Sequence, residues 1–210
     1  MVCANHGFGG TSAAPGGTHS YTIYSDTHGL TWQNGKDVSA RNSSSGKLAK
    51  AQHMGECSVA ETSAGVYLYA RVWWDDGSPG NGMSTRALTL STDGGVSFSD
   101  GNTAAFPGNP GTDTQGAMVF AQGRFYVGSP WGFHHFPRQN YTVLVSEAID
   151  GRPSSWAPLA GAAPLWRGAS EYSTLLPGEN DTMWVLYERS KEASSNNGNE
   201  VLRLTQLQLP

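Results

Sequence analysis

The chain has 210 residues, a formal net charge of −4 at pH 7, 14% charged residues, 27 glycines, 11 prolines and 7 tryptophans. The acidic balance argues against a nucleic-acid partner, which calls for a basic surface, and no apolar run is long enough to span a bilayer as a helix. Many turn formers together with many aromatics argue against disorder and point to short strands joined by tight loops.

The first residues carry neither the charged n-region nor the apolar h-region of a secretory signal. Strand character then recurs along the chain. Residues 19–25 alternate, and residues 66–74 are aromatic and β-branched. Residues 86–91, 117–120, 124–127, 141–146 and 183–188 follow, and residues 201–207 alternate cleanly. Clusters of Gly, Pro, Asp and Asn at residues 75–80, 122–123 and 177–181 mark turns between them. A short turn near residues 190–195 is the one stretch with helical character. The prediction is one all-β domain over residues 1–210.

Several features carry a bland reading. Cys3 and Cys57 are the only cysteines, too few for a disulfide scaffold, and are read as free thiols. Sequons begin at Asn42, Asn140 and Asn180; they are compatible with a lysosomal or secreted route without excluding a cytoplasmic or membrane-associated one. His134 and His135 are adjacent on an extended chain, so they point to opposite faces and make no metal pair. Asp75-Asp76-Gly77 lacks the remaining ligands of a calcium loop. Gly7-Phe8-Gly9-Gly10 precedes no helix and is no nucleotide loop. Trp73 and Trp74 read as packing residues. No metal or cofactor is implied.

One element repeats: a strand ending in Ser, a Gly-containing turn, then an aromatic. Residues 91–98, Ser-Thr-Asp-Gly-Gly-Val-Ser-Phe, are the sharpest copy. Residues 25–32 are a second, with Thr27 where the first has Asp93, and residues 146–156 a degenerate third. Asp accepts backbone N–H bonds in such a turn, and Gly supplies the positive-φ position. The spacing, with strands between, suits propeller blades with long loops.

The pattern Ser-x-Asp-x-Gly-x-Ser/Thr-Trp/Phe resembles the Asp box of sialidases. Three further segments resemble the same family in order. Gly55-Glu56-Cys57-Ser58-Val59-Ala60-Glu61 with Arg71 is similar to the segment that sets a catalytic Glu and an active-site Arg on adjacent strands. Gly128-Ser129-Pro130 with Arg138 is similar to the segment carrying another Arg of a triad. Glu171-Tyr172-Ser173-Thr174, leading to the strand that ends in Glu188, resembles the segment with the nucleophilic Tyr. The likeness is greatest to the animal lysosomal and cytosolic type. It implies a six-bladed β-propeller of four-stranded antiparallel blades, of which this length makes about four.

What the resemblance implies is an exo-α-sialidase: retaining, metal-independent, and active on terminal sialic acids of glycoproteins, gangliosides and oligosaccharides. Sialidases depart from the two-carboxylate scheme of glycosidases by using a Tyr nucleophile. The resemblance assigns that role to Tyr172 and its base to Glu56, with Arg71 and Arg138 binding the substrate carboxylate.

The family's N-terminal Arg-Ile-Pro segment and the acid/base Asp after it have no counterpart here. The expectation is therefore a propeller incomplete on its N-terminal side, inactive and poorly soluble alone. The alternative reading is a catalytically incomplete propeller that binds sialylated glycans without cleaving them. A third is a structural Asp-box propeller unrelated to sialic acid.

Overall fold

The structure, a computed structural model, describes residues 2–6, 19–38, 40–41, 52–74, 83–99, 101–102, 114–131, 138–149, 152–159, 164–195 and 198–210. The Asn42 sequon, Asp75-Asp76-Gly77, His134, His135 and the glycine-rich residues 7–10 lie outside them. The chain forms two compact units, Met1–Phe106 and Pro107–Pro210. Every regular element described is a β-strand, as the turn-rich, aromatic composition predicts. Among the described residues no helix is long and apolar enough to cross a membrane.

The first unit holds β1 (Val2–His6), β2 (His19–Tyr24), β3 (Gln33–Asn34), β4 (Ala40–Arg41), β5 (Gln52–Thr62), β6 (Gly65–Trp74), β7 (Met83–Ser91) and β8 (Gly101–Asn102). β1, β2 and β3 make one sheet, and the order β4-β8-β7-β6-β5 makes a second. All pairs are antiparallel except β4 with β8. β6 is central, between β5 and β7, and its residues from Val66 to Val72 are all buried. A strand covered on both faces reads as a continuous apolar and aromatic run, which is why residues 66–72 lack alternation. Met54, Leu68, Ala70, Val72 and Ala87 form the core on one face of this sheet, with Val38. Arg71, between Ala70 and Val72, therefore faces the other way.

The second unit holds β9 (Ala117–Ala121), β10 (Arg124–Pro130), β11 (Gln139–Ile149), β12 (Arg152–Pro158), β13 (Trp166–Pro177), β14 (Thr182–Arg189) and β15 (Val201–Gln208). They join in one antiparallel sheet of order β15-β14-β13-β11-β10-β9, with β12 also on β11. Tyr126, Tyr141, Val143, Met183, Val185 and Tyr187 centre its core. Tyr141 stacks on Tyr187, with ring centroids 4.5 Å apart. The alternation predicted for the last strand is present, but Leu202 and Leu204 lie on its exposed side. Residues 190–195 form a turn rather than a helix, closed by Ser195 N donating to Glu192 O.

The repeated turns have matching geometry. In the sharp copy, Ser97 N donates to Asp93 Oδ1 at 2.9 Å and Gly95 N to Ser91 Oγ at 2.8 Å. In the second copy, Thr31 N donates to Thr27 Oγ1 at 2.8 Å and Gly29 N to Ser25 Oγ at 2.7 Å. The Thr27 hydroxyl thus takes over the acceptor role of the Asp93 carboxylate. Gly29 and Gly95 adopt φ of 85° and 87°, a region that a side chain would strain.

The expectation of two free thiols is corrected. Cys57 is disulfide-bonded, and the sequence has one other cysteine, Cys3. β1 carries Cys3 and packs along β5, which carries Cys57. Two cysteines make no scaffold, but strand packing brings together residues that lie far apart in sequence.

Candidate active site

Two β-bulges organise the predicted residues, one in each unit. In β5 the register passes from Met54↔Val72 to Cys57↔Ala70. Gly55 and Glu56 therefore share a single opposite residue, Arg71. A bulge leaves one residue outside the ladder and re-aims its neighbour. The carbonyl freed at Gly55 accepts a hydrogen bond from the buried Ser20 Oγ of β2 at 2.6 Å. Gly55 carries no side chain, so the space beside Arg71 belongs to Glu56.

Glu56 uses that space. Arg71 Nη1 donates to both its carboxylate oxygens, at 2.9 and 3.2 Å. The Arg71 side chain is 8% exposed and that of Glu56 30%. A guanidinium so placed holds the carboxylate in one orientation, while solvent and ligands still reach it.

In β13 the register passes from Ser170↔Arg189 to Ser173↔Tyr187. Here Glu171 and Tyr172 both stand opposite Glu188, freed from strict alternation. Glu171 accepts an ion-paired hydrogen bond from Arg138 Nη1. Tyr172 is 38% exposed. Its backbone N donates to Glu188 Oε2 at 3.3 Å. The flanking chain is tied down. Ser170 N donates to Arg138 O at 2.8 Å, and Ser190 N to Ala169 O at 2.9 Å. Ser173 N donates to Gln115 Oε1 at 3.1 Å.

The structure thus brings Glu56 to Arg71 in the first unit. In the second it brings Arg138 to the residue beside Tyr172. Sequence reading missed four contributors. Glu171 and Glu188 were legible only as neighbours of Tyr172, Ser20 gave no signal, and Arg86 was read merely as the start of a strand. Arg86 is fully buried directly opposite Arg71. Burial pulls its proton affinity below the ordinary guanidinium value. Among the described residues no group of three or more His, Cys, Asp or Glu is arranged to hold a metal ion.

No protein-family model matches the sequence, nor does any curated protein. Solved structures do match. A leech intramolecular trans-sialidase, complexed with 2,7-anhydro-Neu5Ac, superimposes with a TM-score of 0.55 at 19% identity, over 91% of this chain and 29% of that one. A Hadza microbial sialidase matches with a TM-score of 0.61 at 19% identity, over 91% of this chain and 32% of that one. A Dyadobacter fermentans protein of unknown function matches with a TM-score of 0.59 at 19% identity, over 100% of this chain and 50% of that one. The chain therefore has a sialidase-like fold and spans half or less of these structures.

Proposed function

We propose that this chain is part of an exo-α-sialidase, a retaining glycoside hydrolase built on an Asp-box β-propeller of which the chain supplies about four blades. The observation that carries the reading is the Glu56–Arg71 pair on adjacent strands, in which Arg71 Nη1 donates to both carboxylate oxygens at a bulge. This is the arrangement expected where a carboxylate is oriented to act as a base. The sialidase-like fold supports it.

The chemistry follows from the substrate. A sialic acid bears a carboxylate on its anomeric carbon. An Asp or Glu nucleophile would approach that carbon against like charge, whereas Tyr attacks as a neutral hydroxyl. Free Tyr has a pKa of about 10, so it needs a base. In this reading Tyr172 is the nucleophile and Glu56 takes its proton. Arg71 and Arg138 hold the substrate carboxylate, whose geometry the guanidinium fork matches. Arg138 then serves both Glu171 and the ligand. Its position beside the Tyr172 bulge lowers the energy of a developing phenolate.

The chain covers 29% and 32% of the two sialidases described above, and in this reading the activity is that of a longer form. The test is release of a fluorescent aglycone from a sialoside, by this chain and by a form extended upstream. Release by the extended form, abolished by Tyr172→Phe, supports the proposal. Sialoside binding without release by either form favours the catalytically incomplete glycan-binding propeller. Neither binding nor release overturns both readings.

A further inference from the structure

The row of side chains that begins with Glu56 and Arg71 continues to a third charge. Arg86 of β7 is the cross-strand partner of Arg71. Both face away from the Met54, Ala70 and Ala87 core. Arg86 is 0% exposed. None of its three guanidinium nitrogens forms a hydrogen bond of good geometry, and the polar group beside it is the Tyr69 hydroxyl. The Tyr69 ring lies under it, 5.8 Å from ring centroid to guanidinium carbon. A guanidinium keeps its proton in a protein. These three side chains therefore hold one negative and two positive charges.

Stability alone does not account for this row. Like charges directly opposite one another destabilise a sheet. A buried cation with no anion in contact and only a tyrosine hydroxyl beside it is worse still, and an apolar residue of similar volume would serve the fold as well or better. A feature that opposes stability and adjoins a candidate site is a mark of function.

We propose that Arg86 is a positioning residue for carboxylate recognition, which keeps the Glu56–Arg71–Arg86 row net positive and presses the Arg71 guanidinium toward Glu56. The inference rests on the sialidase reading for its ligand, the carboxylate of an acidic sugar. Arg86 does not touch that ligand, being sealed from solvent. It acts through its field, which is strong where water is excluded, and through Arg71. Without it the row is neutral, and Arg71 is free to swing toward β7.

The experiment is calorimetric titration of the full chain with N-acetylneuraminic acid and with its methyl ester, which lacks the charge. Wild type is expected to bind the acid more tightly than the ester. Arg86→Met should weaken acid binding by about tenfold and leave ester binding unchanged, while Arg86→Lys stays within about threefold of wild type. An unchanged acid-to-ester ratio in Arg86→Met overturns the proposal. So does an Arg86→Lys protein that folds but has lost the discrimination, and that arm decides the matter if Arg86→Met does not fold. If wild type binds neither compound, the sialic-acid reading fails and a second measurement judges Arg86 by itself. The thermal midpoints of wild type and Arg86→Lys should then rise more in sodium acetate than in sodium chloride of equal ionic strength, and that of Arg86→Met should rise equally in both. Equal midpoints in the two salts for wild type, or the same acetate excess in Arg86→Met, overturn the inference.

Discussion

Gly198 lies so close to Glu171 that a Cβ built on it would stand 2.5 Å from Glu171 Cγ and 3.0 Å from the backbone of Ser170. Ser170 cannot yield, because its N–H is bonded to Arg138 O. Glu171 must move instead, and its ion pair with Arg138 goes with it. Gly198→Ala is therefore expected to destabilise the second unit by about 1–3 kcal/mol, the usual range for overpacking. A urea midpoint equal to that of wild type would refute the argument.

The Glu56–Arg71 pair invites a double-mutant cycle. Glu56→Leu alone takes from the buried Arg71 guanidinium the carboxylate that its Nη1 bonds and should cost about 1–3 kcal/mol. Replacing both, with Arg71→Met as the second change, should recover most of that loss, since an apolar pair removes the desolvation problem. Additive losses in chemical denaturation would mean that the two residues are not coupled.

Asp93 gives a pH signature. Hydrogen bonds from the Ser97 hydroxyl and backbone, and from the Ser91 hydroxyl, hold its carboxyl at about 2, below the ordinary 3.8. The folded value is depressed, so the contribution is complete above about pH 4 and fades as pH falls through 2. Asp93→Asn should flatten the acid limb of the stability curve in that window. Thr31 N bonds the hydroxyl of Thr27 at the sister turn. Thr27→Val should lower stability equally at every pH. Identical acid limbs for wild type and Asp93→Asn would sink the first claim.

The disulfide at Cys57 lies next to Glu56 in β5. Reduction should destabilise the first unit by about 2–4 kcal/mol through the entropy returned to the unfolded chain. Denaturant midpoints with and without dithiothreitol measure this directly. A shift below experimental error would show that the bond constrains little.

The strands were legible where local chemistry and tertiary environment agree. The runs at residues 66–74, 141–146 and 183–188 are β-branched or aromatic and became β6, β11 and β14, buried from Val66 to Val72 and from Tyr141 to Leu144, and alternating in β14, where Met183, Val185 and Tyr187 are buried and Trp184 and Leu186 exposed. β5 and β13 carry no such run, and only family resemblance marked them. Their strand character comes from their neighbours rather than from themselves. Within the candidate site, Glu56, Arg71, Arg138 and Tyr172 were nameable because their motifs were. Ser20, Arg86 and Glu188 were not, because each matters through a partner in a different strand. Nothing in a string of residues says that positions 71 and 86 stand side by side. The thiol reading failed for the same reason, since the count of cysteines is local and their approach is not.

The two bulges also set how this fold can lose its chemistry. At each, two residues share one opposite position, so the ladders on either side are in register without the extra residue. An in-frame loss of one codon at position 171 or 172 would leave β13 paired with β14 as before. It would nonetheless remove either the partner of Arg138 or the candidate nucleophile. Elsewhere in these strands a one-residue deletion turns a whole face inside out and is purged with the fold. At the bulges the strand pairing survives it, so a side chain of the candidate site can be lost in a single step at the cost of its ion pair but not of the ladder.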